Sequence, residues 1–234
     1  RSDTDVLVPE GQRDLAHQKN LVAEERTNVR EYWDAASYQR SYTYEDRAGL
    51  RHSIDLHWRL SNRQIFSRMF SFDELRASAE PVEALGPGAM TVSPVHAMLI
   101  ACLHRVTHIN APYFVDGVRY VEANRLIWLY DIHLLAGGFS DAEWARLVEL
   151  ATAKGLRAVC ADGLRATAER LGTRVPSPVM ESLAAAGLTE PAAAYLERGF
   201  WRRSLLVDLP ALTTWSERAR LVGEWAFPPT EHMF

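Results

Sequence analysis

The chain has 234 residues, 47% of them hydrophobic and 24% charged, and its 26 basic and 30 acidic groups leave a net charge of −4. That composition is too apolar for a disordered protein, and the slight acidity gives no electrostatic reason to bind nucleic acid. No apolar run reaches the roughly 18 residues that cross a bilayer, so no membrane-spanning helix is expected.

Two cysteines, Cys102 and Cys160, sit in apolar helical contexts and make no disulfide framework, which fits a reducing, cytoplasmic setting. The chain opens on Arg1 without a signal-peptide pattern and closes on the loop-like Phe227-Pro228-Pro229 stretch. The expectation is a piece of a longer protein.

Val6 to Val8 read as a buried strand, stopped by Pro9 and Gly11. Residues 12–26 carry Leu15, Leu21 and Val22 among charges and predict an amphipathic helix. Residues 38–46 and 50–60 alternate around a turn closed by Gly49, the pattern of a hairpin. In the second strand Ile54, Leu56, Trp58 and Leu60 take one face, which puts Asp55, His57 and Arg59 on the other.

Beyond Asn62 the pattern turns helical. Ser93-Pro94 opens a helix that runs to about His108, and a second is expected over 119–135, stopping at Gly137-Gly138. Ser140 and Glu143 form a capping box for the next, which ends at Gly155. Further helices are predicted near 156–171, 177–186, 190–198 and 210–225. The expected class is α+β, with a boundary near residue 92: a small α/β portion over 1–92 and a helical portion over 93–234.

Asp3 and Asp5 are two residues apart on a strand, so both carboxylates leave the same face. Held close in an apolar setting they repel, unless a cation lies between them. Asp55 is a third acid on a second strand. Oxygen ligands suit Mg²⁺, and three carboxylates on neighbouring strands can hold two cations and polarise an attacking hydroxyl. A D-x-D pair is also common among solvated edge-strand acids, and Asp55 can equally pair with Arg51 or Arg59.

These residues resemble a family. Arg1-Ser2-Asp3-Thr4-Asp5-Val6-Leu7-Val8-Pro9 is similar to the R-x-x-D-x-D-L-L-V-P segment of the uncharacterised nucleotidyltransferase family, within the polymerase-β-like superfamily. Ile54-Asp55-Leu56-His57-Trp58-Arg59-Leu60 resembles its D-L-H-W-R-L strand. Helical histidines His104 and His108, then Leu126-Ile127-Trp128-Leu129-Tyr130-Asp131-Ile132, follow its L-x-W-L-x-D-I segment, and Phe227-Pro228-Pro229 its F-P-x signature.

The resemblance implies a small mixed sheet of nucleotidyltransferase type followed by a helical C-terminal portion. It implies metal-dependent transfer of a nucleoside monophosphate from an NTP, with ATP the expected donor, to an acceptor, releasing pyrophosphate. Asp3 and Asp5 would ligate Mg²⁺ or Mn²⁺, and Asp55 would hold one metal near the acceptor and serve as general base. The acceptor is open: a small-molecule hydroxyl, a protein side chain or an RNA end each fits, with the acidic charge against RNA. The superfamily's glycine-rich phosphate turn would lie before Arg1, which again leads to the expectation of a fragment.

His96, His104, Thr107 and His108 share about a third of the helix circumference. His104 and His108 have the i, i+4 spacing that lets two imidazoles bind one metal, and Asp131 and His133 are candidates to complete the set. They equally suit hydrogen bonding along an interhelical groove. Arg59 is a candidate for the triphosphate through bidentate hydrogen bonds, or for a neighbouring acid on the sheet. Two alternatives stand beside the transferase. One is a non-catalytic module of the same fold that works with a partner protein. The other is a helical metallohydrolase built on His104, His108 and Asp131, with Zn²⁺ or Fe²⁺ at imidazole in place of Mg²⁺ at oxygen.

Overall fold

The computed structural model describes residues 4–23, 38–45, 49–109, 113–115, 118–120, 124–185, 189–197 and 204–226. The fold is α+β, and the chain forms two compact units, one of residues 1–77 with 208–234 and one of 78–207.

The first unit holds a three-stranded mixed sheet. Strands β1 (Thr4–Leu7), β2 (Gln39–Glu45) and β3 (Arg51–His57) lie in the order β1-β3-β2, with β1 parallel and β2 antiparallel to β3. The hairpin expected between β2 and β3 forms, and Gly49 takes the left-handed conformation (φ 78°) that glycine adopts without steric cost. Strand β3 stops at His57, three residues short of the predicted end, because its partners run out there. Leu7 and Gln39 are the last residues paired across from His57, and Trp58 N–H adds one more bond to Tyr38 C=O at 3.0 Å. β1 is an edge strand among the described residues, so Val6 is 39% exposed where a buried strand was expected.

A turn of 3₁₀ helix (Glu10–Gln12) leads into α1 (Arg13–Ala23). His17 on α1 is hydrogen-bonded through Nδ1 to the hydroxyl of fully buried Tyr42 on β2 at 2.6 Å. Short helices α2 (Gln64–Ser67) and α3 (Phe72–Ala77) follow the sheet and bury Phe66 and Leu75.

The second unit begins with a two-stranded ribbon, β4 (Glu80–Pro81) against β5 (Met90–Thr91), which the sequence pattern does not announce. Helix α4 (Pro94–His108) starts on Pro94 as predicted, though the Ser93 hydroxyl bonds His96 Nδ1 at 2.8 Å and makes no capping bond to the backbone. The helix expected over 119–135 is displaced. Residues β6 (Tyr113–Val115) and β7 (Val118–Tyr120) pair as a hairpin, and α5 runs from Leu126 to Gly138. Val118 and Tyr120 are better strand than helix formers, and Gly137 and Gly138 are tolerated because they fall in the last turn.

Helix α6 (Asp141–Lys154) carries the predicted capping box, with Glu143 N–H donating to Ser140 Oγ and Ser140 N–H donating to Glu143 Oε2. It ends at Gly155 (φ 65°), as its sequence foretold. Helices α7 (Arg157–Leu171) and α8 (Ser177–Ala184) also match, while within the stretch expected as a helix near 190–198 the described residues Pro191–Leu196 form a 3₁₀ segment. Leu99, Ile132, Leu147, Leu164 and Leu183 are among the fully buried side chains of this unit. Gly163 is the close contact among its helices: a Cβ there would sit 3.1 Å from Cys102 Sγ on α4 and 3.4 Å from Ile132 Cδ1 on α5.

The helix predicted over 210–225 starts later, as α10 (Trp215–Ala226), and a separate helix that was not expected, α9 (Ser204–Ala211), precedes it. Thr214 ends the continuity by capping α10: Glu217 N–H donates to Thr214 Oγ1, and Thr214 N–H returns a bond to Glu217 Oε2. Trp215 is 83% exposed and lies under Arg218. Among the described residues no helix is long and apolar enough to cross a membrane.

The α10 cap makes a pH prediction. The Thr214 N–H, the neighbouring hydroxyls and Arg68 hold the Glu217 carboxyl down at about 2 from its ordinary 4.5. A carboxylate depressed in the folded state stabilises it fully above the unfolded value and loses that contribution as pH falls toward the folded one. The protection of α10 amides, taken as exchange relative to the intrinsic rate at each pH, should therefore fall between about pH 4.5 and 2. Glu217→Gln should exchange faster at neutral pH and show no acid step in that window.

Candidate metal centre

The site grows from the alternation of β3. Leu56 is buried on one face of the strand, while Asp55 and His57 project from the other. The parallel register sets Asp5 opposite Asp55, and the antiparallel one sets Ser41 opposite Asp55 from the other side. Two carboxylates facing across adjacent strands are unfavourable on charge alone. His57, one register step along, sends Nε2 to within 3.1 Å of Asp5 Oδ1 and offsets part of that repulsion.

One carboxylate oxygen each from Asp5 and Asp55 and one ring nitrogen of His57 lie within 4.8 Å of one another, and no other such group of three occurs among the described residues. An octahedral ion with bonds of about 2.1 Å places adjacent ligands about 3 Å apart and opposite ligands about 4.2 Å apart. The three atoms therefore fit one small divalent cation with side-chain adjustment alone. Two oxygens and one nitrogen would leave three positions for water or phosphate oxygens. Access is open on the β1 side, where the Asp5 side chain is 62% exposed, and restricted at His57, which is 16% exposed.

The remaining expected residues are placed as follows. Asp3 lies outside the described residues. Arg59 turns to Glu10, with Nη2 donating to Oε1 at 2.7 Å and Nε to Oε2 at 3.2 Å, and its guanidinium covers the Tyr38 ring at 4.1 Å. Burial pushes the Tyr38 hydroxyl up from its ordinary value, and that hydroxyl donates to Gln64 Oε1 at 2.6 Å. Glu10 was not among the expected residues; it sits in the turn after β1, and nothing local in the sequence links it to Arg59.

The histidines of α4 separate. His96 is buried, and its Nδ1 meets Ser93 Oγ at 2.8 Å and Ser78 Oγ at 3.1 Å. His104 and His108 are exposed, with ring centroids 4.6 Å apart, and both pack on Trp128 of α5 at 6.1 and 5.9 Å. His133 Nδ1 is hydrogen-bonded to Thr173 Oγ1 at 2.8 Å. Among the described residues, His104 and His108 do not converge with Asp131 on a common three-ligand point.

This is an α+β protein in which paired carboxylates and an imidazole on one face of a small mixed sheet form a group that could hold a cation. The chain belongs to the uncharacterised nucleotidyltransferase family, whose model matches residues 1–172. That stretch includes Asp5, Asp55 and His57 and runs through the helices to the end of α7. No curated protein and no solved structure matches the chain.

Proposed function

We propose that the protein moves a nucleoside monophosphate from an NTP, specifically ATP, to a hydroxyl-bearing acceptor in the cytoplasm and releases pyrophosphate. Residues 1–92 carry the chemistry, and residues 93–234 form the helical portion. The observation that supports this is the facing pair Asp5 and Asp55, with His57 beside it, in a chain of the nucleotidyltransferase family.

Asp5 and Asp55, with Asp3, hold the divalent cation, Mg²⁺ or Mn²⁺. Held by these residues, a cation would supply positive charge against the triphosphate and the acceptor oxygen. Asp55 takes the proton of the acceptor hydroxyl as that oxygen bonds to the α-phosphorus. The bond from the α-phosphorus to the bridging oxygen breaks, and pyrophosphate leaves with the electron pair. What the protein adds to this in-line exchange is positioning and charge, since little covalent chemistry is asked of it.

Calorimetric titration of ATP into the full-length protein, with and without Mg²⁺, tests the assignment. Binding should require the divalent ion and should weaken at least tenfold in Asp5→Ala. ATP binding that ignores both the ion and Asp5 would overturn it and favour a non-catalytic module.

A further inference from the structure

Resting on the cation role given to Asp5 and Asp55, we propose that His57 is itself a ligand, and that its nitrogen makes the centre select Mn²⁺ over Mg²⁺. The separation carries this. His57 Nε2 and Asp5 Oδ1 are 3.1 Å apart, a hydrogen-bond distance that is also the distance between adjacent ligands of an octahedral ion with bonds of about 2.1–2.2 Å. The ion would sit about 1.4 Å to one side of the line between the two atoms, so the imidazole turns toward it while the donor atoms keep nearly their present separation. Asp55 belongs to the same group: one ligand atom from each of Asp5, Asp55 and His57 lies within 4.8 Å of the other two.

His57 is also held for the task. Its carbonyl accepts a bond from Val8 N–H at 2.9 Å on the β1 side, and Trp58 N–H bonds to Tyr38 C=O at 3.0 Å on the β2 side. The end of β3 is thereby fixed on both flanks, and the imidazole is only 16% exposed. A ligand already in place loses little freedom on binding.

The donor set decides the metal. Mg²⁺ is hard, prefers oxygen and gives up water reluctantly. Imidazole nitrogen favours the first-row transition ions, of which Mn²⁺ is the one that also accepts carboxylate-rich octahedral sites. Removing the nitrogen should therefore cost Mn²⁺ much more than Mg²⁺.

The test uses the full-length protein and the metals alone. Pulsed electron paramagnetic resonance of bound Mn²⁺ should show coupling to one ¹⁴N nucleus, absent in His57→Asn. Mn²⁺ affinity should fall about tenfold in His57→Asn while Mg²⁺ affinity, read by competition, changes less than about threefold. Thermal melting of His57→Asn and of His57→Gln establishes that the fold survives in at least one of them. Mn²⁺ that binds in an Asp55-dependent manner without ¹⁴N coupling, or with coupling that persists in the histidine variants, overturns the role of His57 and leaves the carboxylate site standing. Failure of the parent protein to bind either ion overturns both.

Discussion

Asp55→Asn is expected to lower pyrophosphate release from ATP by about 1,000-fold without lowering the melting temperature. Asparagine matches aspartate in size and keeps one carbonyl oxygen, so the backbone bonds that β3 makes to β1 and β2 are untouched. What it removes is the charge that faces Asp5 across the parallel pair. Like charges in that arrangement disfavour the folded state by up to about 1 kcal/mol, so stability should hold or rise slightly. A residue kept for function at some cost to the fold shows that signature. Asp5→Asn differs in a useful way, because Asp5 also receives Nε2 of His57, and its loss should cost some stability along with activity. Turnover assays paired with melting curves separate the cases. A variant that melts several degrees lower and turns over ATP normally would make Asp55 a structural residue.

Much of this site was legible because it depends on a period of two. Once residues 50–60 are read as a strand, Asp55 and His57 must share a face, and the same rule applied to residues 3–7 brings out Asp5. Register between strands is a different matter. That Asp5 lies opposite Asp55, and that Nε2 of His57 reaches Asp5, follows from parallel pairing across 50 residues of chain, which no local pattern encodes. The pairing of Arg59 with Glu10 is hidden for the same reason.

Helices are legible where their caps are local. Ser140 with Glu143 and the glycine after Lys154 gave α6 both its ends. The break between α9 and α10 was equally available in Thr214 and Glu217, three residues apart, but the apolar periodicity on either side masks it. The strand at 118–120 is hidden because three residues are too few for their alternation to compete with the helical pattern that follows. Pro191 opens the 3₁₀ segment, and its compact form is tied by Glu190, whose buried carboxylate takes the Ala158 N–H at the start of α7 and the Arg157 guanidinium.

The largest structural effect is expected at Arg105, a residue that helical periodicity places on the apolar face of α4 without saying what would balance its charge. It is 2% exposed, and its guanidinium is fully directed: Nη1 donates to Asp162 Oδ2 of α7 at 2.6 Å, while Nη2 and Nε donate to Asn124 Oδ1, just before α5, at 2.6 and 3.1 Å. One side chain thus ties α4, α7 and the approach to α5. Removing one partner of a buried ion pair costs about 3–5 kcal/mol, chiefly because the other is stranded. Asp162 is 34% exposed and can rehydrate in part, which moves Arg105→Ala toward the lower end of that range. Arg105→Met keeps most of the stem volume and should cost less than alanine, whereas Arg105→Lys, without the planar fork, cannot serve Asp162 and Asn124 together. Denaturant unfolding of these variants should show that order. A double-mutant cycle with Asp162→Asn should give a coupling of about 0.5–3 kcal/mol that salt reduces only in part, since Arg105 is enclosed while Asp162 is a third exposed. A coupling near zero would mean that Asn124 and the packing of the stem, not the charge pair, hold Arg105 in place.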